Sequence, residues 1–244
     1  MSIHPQKCQH FADLHAAPDL FVMPNPWDAG SARILAGLGF PALATTSAGA
    51  AFAMGYVDGA VGLDDLLENA RQIVGAVDVP VSADLMDCFG ETPDAVAETI
   101  RRAAGVGLAG CSIEDARTGP EGGIRDKGEA VERVAAAVEA TRGLGHPFVL
   151  TARAENYLHG RPDLDDTIAR LQAYEAAGAD CLYAPGLPDL DAIKSVVSAL
   201  AKPVNVVIGI GALRPALSDL AAAGVRRVSV GGALARLSLG ALIQ

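Results

Sequence analysis

Acidic side chains end two successive apolar runs of this chain, at residues 79–84 and 111–115. Buried parallel strands show this continuous apolar pattern, and the residues at their C-terminal ends share one rim of a barrel. Asp84 and Glu114, with Asp58 from a polar loop, could therefore supply the oxygen ligands that Mg²⁺ prefers, with Mn²⁺ as an alternative ion. Asp84 and Glu114 could instead cap helices or pair with arginines, and Asp58 could be an ordinary loop acid. The first interpretation predicts a metal-dependent enzyme.

An arginine directly follows a third apolar run, at residues 147–152. Burying a guanidinium at the mouth of a strand is costly unless an anion meets it. Arg153 is therefore a candidate to grip a substrate carboxylate through two parallel hydrogen bonds. The alternative is an internal ion pair with Glu155 or Glu114.

Hydroxyl groups follow the predicted second strand, at Thr45, Thr46 and Ser47. Together with the backbone N–H groups of this segment they would suit an oxyanion or a carboxylate. Simple turn chemistry is the alternative explanation.

Other chemistries have weaker support. No lysine or histidine follows a predicted strand, which argues against Schiff-base, Ser-His-Asp and zinc chemistry. His159 would reach the rim only from a loop. Glycines near the last two strands resemble a phosphate-binding site of a barrel, although tight turns also need glycine; they are Gly209, Gly211, Gly231 and Gly232.

The elements that must position these residues follow a regular alternation. Eight β-like runs occur at residues 21–24, 42–46, 79–83, 110–114, 148–152, 181–184, 204–208 and 227–230. Segments with helical spacing separate them, and Gly39, Gly107, Gly178 and Gly224 are expected to end helices in left-handed caps. Eight strands alternating with eight helices predict one α/β domain over residues 1–244, a (β/α)₈ or TIM barrel. A doubly wound open sheet is the alternative.

Composition limits the classes of binding partner and the cellular locations to be expected of the protein. The 244 residues are 50% hydrophobic, which allows a large core, and the net charge of −10 argues against binding to nucleic acid. Neither a signal-like N-terminus nor an apolar run long enough to cross a membrane is found, so we expect neither export nor membrane insertion. The four cysteines lack CxxC spacing, which favours a cytoplasmic protein.

The last predicted helix, residues 233–243, is apolar almost all round. Such a helix needs cover on more than one face. We therefore expect a homo-oligomer whose subunit interface covers it. Packing wholly against its own barrel is the alternative.

Six short motifs occur in a consistent order between residues 21 and 236: NPWDAGSAR at 25–33, SAD at 82–84, SIED at 112–115, TAR at 151–153, AGAD at 177–180 and KPVN at 202–205. Together they resemble the isocitrate lyase/phosphoenolpyruvate mutase superfamily. The resemblance implies a Mg²⁺-dependent barrel enzyme that acts on 2-oxo acids through enolate-like species. It also implies C–C or P–C bond chemistry and assembly into dimers or tetramers that exchange a C-terminal helix.

The resemblance also implies roles for residues of this chain. Asp84 matches the acid at the metal, with Asp58 and Glu114 in a water-mediated shell around it. The substrate-holding positions match Thr45, Thr46, Ser47, Arg153 and Asn205, of which Arg153 binds the carboxylate. Arg153, Asp58 and Thr45 are thus the candidate catalytic residues.

The chain also departs from the superfamily pattern. Ser82 stands where the superfamily often has an outer aspartate, and residues 116–125 lack the Cys and His of the lyase gating loop. The sixth strand lacks the lyase glutamate, and the swapped helical tail is largely missing. Isocitrate and methylisocitrate lyase activities are therefore not expected.

The prediction is a Mg²⁺-dependent lyase that acts on a small 2-oxo carboxylate such as oxaloacetate. Three alternatives stay open: a non-catalytic binder of 2-oxo acids, a phosphonate mutase or hydrolase of the same superfamily, and a barrel enzyme that binds phosphate through its late glycines.

Overall fold

Eight parallel strands form a nearly closed barrel in the computed structural model, which describes residues 4–118, 122–209 and 214–244. The sheet order is β1-β8-β7-β6-β5-β4-β3-β2, so the first and last members of the sheet are the first two strands of the chain. The Ala44 N–H donates to the Pro24 carbonyl across that seam at 3.1 Å. The predicted (β/α)₈ barrel is confirmed, and the open doubly wound sheet is wrong.

The strands are β1 Phe21–Met23, β2 Leu43–Ala44, β3 Val81–Asp84, β4 Gly110–Glu114, β5 Val149–Arg153, β6 Cys181–Tyr183, β7 Val204–Val207 and β8 Arg227–Ser229. The helices in the described ranges are α1 Pro5–Ala16, α2 Ala29–Gly37, α3 Ser47–Ala53, α4 Leu63–Ala76, α5 Pro93–Gly105, α6 Lys127–Arg142, α7 Leu164–Ala177, α8 Leu190–Ser198, α9 Leu217–Ala222 and α10 Ala233–Ile243. Each of the eight predicted strands is present, with bounds shifted by at most two residues.

Local chemistry sets where these helices begin and end. Asp28, Asp163 and Asp189 each accept a backbone N–H of the first turn of the helix that follows, which stabilises its start. The four glycines expected to end helices all have positive φ, as at Gly178 with φ 107°. These caps let each helix return directly to the sheet.

Two helices exceed the eight that the sequence predicted. The first, α1, precedes β1 and packs Phe11 and Cys8 against the N-terminal end of the barrel. Phe11 is fully buried, and a Cβ at Gly110 would lie 2.9 Å from its ring, so glycine leaves room for this aromatic plug. The second, α3, is a short helix that begins at Ser47, directly after the second strand.

A buried histidine on α1 binds a buried arginine of the barrel. His15 Nδ1 lies 2.8 Å from the Phe11 carbonyl, and its Nε2 lies 3.0 Å from the Arg227 Nη1. These partners require a neutral ring that donates from Nδ1 and accepts at Nε2. Burial, and then the Arg227 charge, lower the pKa of His15 to about 3.

This histidine predicts a loss of stability in acid. In the unfolded chain it protonates near its ordinary pKa of about 6.5, whereas the folded protein resists protonation down to about pH 3. The contribution of His15 is therefore fully present above pH 6.5 and is lost as the pH falls. Between pH 7 and 4.5 we expect wild type to lose about 2–3 kcal/mol more unfolding free energy than His15→Gln. Urea unfolding at the two pH values measures this loss of unfolding free energy. An equal loss in wild type and His15→Gln would contradict the prediction.

The predicted last helix, residues 233–243, has the expected bounds, and much of its apolar surface is uncovered within one chain. Leu237, Leu242 and Ile243 of α10 are 72%, 82% and 86% exposed, and Ala235 is its one buried residue. The alternative in which this helix packs wholly on its own barrel is therefore wrong. No helix in the described residues has the length and apolar character needed to cross a membrane.

Candidate active site

A cavity of about 760 Å³ opens at the C-terminal rim of the barrel. The structure brings every site residue predicted from the sequence to its wall: Thr45, Thr46, Ser47, Asp58, Asp84, Glu114, Arg153 and Asn205. Two other residues that directly follow predicted strands, Asp115 and Pro185, do not line it. Gly209, Gly231 and Gly232 do line it, whereas Gly211 lies outside the described residues.

Strand register explains why residues far apart in sequence meet here. Glu114 pairs with Arg153, Arg153 with Tyr183, Tyr183 with Asn205, and Asn205 with Arg227. Residues in register on neighbouring parallel strands point to the same side of the sheet. One row across β4 to β8 therefore faces the lumen of the barrel.

Asp84 ends β3 and is held on both of its oxygens. Oδ2 accepts from the Ser47 hydroxyl at 2.7 Å and from the Ser47 N–H at 3.1 Å, while Oδ1 accepts from Arg153 Nη1 at 2.9 Å. The Asp84 N–H donates to Thr45 Oγ1 at 3.0 Å. Its carboxylate is therefore fixed between the start of α3 and the fifth strand.

The Thr45–Ser47 segment combines both roles considered for it. Thr46 caps α3 by accepting the Gly49 N–H at 3.2 Å, which is ordinary turn chemistry. Ser47 instead directs its hydroxyl and its N–H at Asp84. All three residues line the cavity, so a substrate oxygen would meet Thr45 and Thr46 next to an oriented carboxylate.

Arg153 is surrounded by carboxylates. Besides Asp84, its Nη1 lies 3.1 Å from Glu114 Oε2, and its Nη2 and Nε lie 2.7 and 2.8 Å from Glu155 Oε1. The Tyr183 ring packs 5.0 Å from its central carbon. The internal ion pair that the sequence left as an alternative is thus present. A two-point grip on a substrate carboxylate would require Glu155 to release one of its contacts.

The electrostatics of this cluster favour an additional positive charge. Burial raises the pKa of Glu114 well above its usual range, and the nearby Glu155 and Asp84 raise it further although Arg153 lowers it. Burial, together with the charge of Asp84, also raises the pKa of Asp58. Three carboxylates share one guanidinium, with a fourth nearby, so the donor set fits a divalent cation.

These carboxylates do not form a closed metal cage. Within residues 4–118, 122–209 and 214–244, no three His, Cys, Asp or Glu side chains form a group that could hold an ion by themselves. A cation here would take one direct carboxylate and complete its shell with water, which is how Mg²⁺ is usually bound.

The floor of the cavity is polar and tightly bonded. Arg227 donates to Asn205 Oδ1 at 2.8 Å and to Thr151 Oγ1 at 3.0 Å, and Asn205 Nδ2 donates to Ser229 Oγ at 3.0 Å. Asn205 is thus at the predicted place with its amide already engaged. Its role as a substrate contact stays a prediction.

Asp115 follows Glu114 and points to the opposite side. Its carboxylate accepts from Tyr174 at 2.8 Å, from Arg170 at 3.1 Å and from the Glu155 N–H at 2.8 Å. Because side chains alternate along a strand, two adjacent acids cannot both face the lumen. Asp115 instead ties the fifth strand to α7.

A strained turn after Asp84 is held by buried charges. Met86, Cys88 and Phe89 all have positive φ, between 52° and 62°, a conformation that is costly for residues with side chains. Arg125 Nη2 lies 3.0 Å from Asp87 Oδ2, and Arg133 donates to the Asp87 carbonyl at 2.6 Å. These two arginines hold the turn in place from the outside of the barrel.

Several residues at the cavity were not predicted as site residues from the sequence. Glu155 was predicted as a possible partner of Arg153 but not as a site residue. Tyr183 ends β6 one residue before the predicted end of that strand. His159 lines the cavity from its loop, and Arg236 lines it from α10. Among these residues, only Tyr183 could have been predicted from the sequence, because it ends a recognisable β-strand. No local pattern shows that a loop residue or a residue of the last helix lies at the cavity.

Comparison with known proteins gives a consistent result. The family model described as phosphoenolpyruvate phosphomutase matches residues 11–244. An oxaloacetate decarboxylase of Bradyrhizobium sp. (strain BTAi1) is 31% identical over 84% of this chain and 70% of its own length. The 2-methylisocitrate lyase of Escherichia coli K12 is 33% identical over 68% of this chain, but only over 57% of its own length.

Solved structures agree. A Burkholderia cenocepacia J2315 protein, provisionally described as a lyase or mutase, has a TM-score of 0.95 and 55% identity, with 98% of this chain and 86% of that one covered. A second protein of the same strain, provisionally described as a phosphonomutase, has a TM-score of 0.90 and 38% identity, with 98% and 96% covered. The chain belongs to the phosphoenolpyruvate phosphomutase family, in the isocitrate lyase/phosphoenolpyruvate mutase superfamily of enzymes.

Proposed function

We propose that the chain is a divalent-metal-dependent lyase that cleaves or decarboxylates a small 2-oxo carboxylate resembling oxaloacetate. The observation that carries the proposal is the cluster of Asp84, Glu114 and Glu155 around the single guanidinium of Arg153 at the mouth of the barrel. Such a cluster has an excess of negative charge that a divalent cation would offset, and the pocket also presents hydroxyls suited to an oxo acid.

Mg²⁺, or Mn²⁺ in its place, would be held directly by Asp84, with Asp58 and Glu114 reached through water. When bound, the ion would supply positive charge that stabilises a negatively charged substrate oxygen. The raised pKa values of Asp58 and Glu114 support this donor set, because crowded carboxylates are stabilised by a nearby cation.

The chain itself orients the substrate. Thr45 and Thr46 would bind the oxo-carboxylate end, Ser47 would keep Asp84 oriented toward the cation, and the guanidinium of Arg153 would lie beside them. Asn205 closes the floor, so the reacting carbons would lie above it, toward the open rim. Breaking the bond to a leaving carboxylate releases CO₂ and leaves an enolate-like product, a step that needs no general acid.

A proton must then reach the product carbon. His159 is the histidine among the described residues that lines the cavity, and its exposed loop position would let it exchange protons with water. The superfamily lyases have a gating loop with Cys and His after the fourth strand, whereas residues 116–118 and 122–125 of this chain have neither. This difference favours decarboxylation over methylisocitrate cleavage, and the longer match to an oxaloacetate decarboxylase, over 84% of this chain against 68% for a methylisocitrate lyase, supports the same choice.

Release of CO₂ from oxaloacetate tests the proposal. We expect turnover with Mg²⁺, recovery of turnover with Mn²⁺, and a fall to the uncatalysed rate after EDTA. Because Mg²⁺ alone decarboxylates oxaloacetate slowly, a protein-free sample with the same Mg²⁺ serves as the control. Equal rates with and without the protein would contradict the assignment.

A phosphonate mutase or hydrolase is the second candidate, and the similarity to a provisionally described phosphonomutase favours it. Turnover of phosphonopyruvate without turnover of oxaloacetate would select it. Binding of 2-oxo acids without any product would instead indicate the non-catalytic binder.

We further propose that the chain works as a homodimer or homotetramer in the cytoplasm. The exposed Leu237, Leu242 and Ile243 of α10 support an assembly, because burying them would remove apolar surface from water. Light scattering on the purified protein measures the number of chains.

A further inference from the structure

We propose that Arg236 selects 2-oxo acids that carry a second carboxylate at their far end. The inference rests on the proposed function, since it assigns the distal part of that substrate. Arg236 lies in the first turns of α10 and lines the same cavity as Asp84 and Arg153, from the other end of the chain.

The geometry holds this guanidinium over the mouth of the barrel. A Cβ at Gly232 would come within 2.6 Å of Arg236 Nη1, so the side chain folds back over the glycine that directly precedes α10. Its central carbon lies 5.3 Å from the centre of the Phe52 ring on α3, a cation–π contact that fixes its direction. The side chain is thus positioned without using its N–H groups.

Those N–H groups have no acceptor in the described part of the chain. Neither a carboxylate within ion-pair distance nor a hydrogen-bond acceptor is found for the Arg236 guanidinium among residues 4–118, 122–209 and 214–244. Arg153 differs, because three carboxylates already surround it. A new anion entering the cavity would therefore find its free guanidinium donors at Arg236.

The position also suits a molecule that spans the cavity. Asp58 lies within electrostatic reach of both arginines, without forming an ion pair to either. A substrate whose oxo-carboxylate end lies at Asp84 and Arg153 would extend past Asp58 toward Arg236. Arginine binds a carboxylate with two parallel hydrogen bonds, so a methyl group at the same place would lose both.

Two unreactive ligands of equal length allow recognition of the distal carboxylate by Arg236 to be measured independently of turnover. 2-Oxoglutarate ends in a carboxylate and 2-oxovalerate ends in a methyl group. Oxaloacetate loses CO₂ readily because it has a carboxylate β to its oxo group, and neither of these two acids has one. Titration calorimetry in Mg²⁺ would measure both affinities for wild type, Arg236→Gln and Arg236→Lys. Arg33→Gln, which changes an exposed arginine of α2 outside the cavity, is the matched control.

We expect wild type and Arg33→Gln to bind 2-oxoglutarate at least about tenfold more tightly than 2-oxovalerate, a difference of about 1.4 kcal/mol. Arg236→Gln should bring that ratio near one while leaving 2-oxovalerate affinity unchanged, and Arg236→Lys should restore part of it. An unchanged ratio in Arg236→Gln, or no preference in wild type, would overturn the proposal. Retained preference without oxaloacetate turnover would contradict only the proposed function, and no binding of either acid would contradict both.

Discussion

Replacing Asp84 with asparagine is expected to lower kcat/KM for oxaloacetate by about 10³-fold or more. The amide keeps the shape of the side chain and one acceptor for Ser47, but it loses the negative charge that holds both Arg153 and a cation. The loss should be in turnover rather than in folding. Steady-state release of CO₂ at saturating Mg²⁺ measures it.

The control for this variant comes from the other end of the same strand. Asp78 precedes β3 on the N-terminal side of the barrel, is exposed and lies away from the cavity. Asp78→Asn makes the same chemical change and should keep wild-type turnover. Retained activity in Asp84→Asn, or an equal loss in both variants, would show that Asp84 has no special part in catalysis.

Breaking the buried ion pair beside the active-site turn is expected to cause the largest loss of stability. Arg125 is fully buried and binds the buried Asp87, the 35% exposed side chain of Glu129 and the 72% exposed side chain of Glu91. Asp87 is the fully buried partner of this guanidinium, and its loss leaves only partners that water reaches, so Asp87→Asn should lower the free energy of unfolding by about 3–5 kcal/mol. Urea unfolding at pH 7 would measure the change.

Glu91→Gln removes a contact to the same guanidinium, but from the protein surface. Water replaces an exposed partner at little cost, so this variant should lose less than about 1 kcal/mol. Similar losses in the two variants would show that burial does not set the strength of these pairs. The turn directly follows Asp84, so a shift of its backbone would move that carboxylate, and Asp87→Asn should reduce turnover even under conditions where it stays folded.

The sequence alone could predict the barrel and the strand-end residues for one physical reason. In a parallel barrel each strand delivers its last residue to the same rim, so Asp84, Glu114 and Arg153 needed no knowledge of distant contacts to be placed together. The glycine caps could be predicted from local sequence as well, because glycine adopts the left-handed conformation that ends a helix, as at Gly178.

The partners of these residues could not be predicted in the same way. That Arg153 on β5 pairs with Asp84 on β3, with β4 between them, depends on the tilt and register of the barrel. The outward direction of Asp115 depends on where the strand alternation begins. Arg236 lines the cavity from the last helix, and no local pattern encodes that position.

The plug formed by α1 shows the same limit. Phe11 fills the N-terminal end of the barrel only because Gly110, about one hundred residues away in sequence, leaves space for its ring. Neither residue alone indicates the contact. Long-range complementarity of this kind requires the structure.

Titration calorimetry of Mg²⁺ into the wild-type protein, alone and with oxalate as a small mimic of the oxo-carboxylate end, tests the central claim most directly. Uptake of one ion per chain that oxalate strengthens, and that Asp84→Asn abolishes, is the expected result. No Mg²⁺ uptake in either condition, or equal uptake by Asp84→Asn, would contradict a cation held among the carboxylates of the barrel mouth.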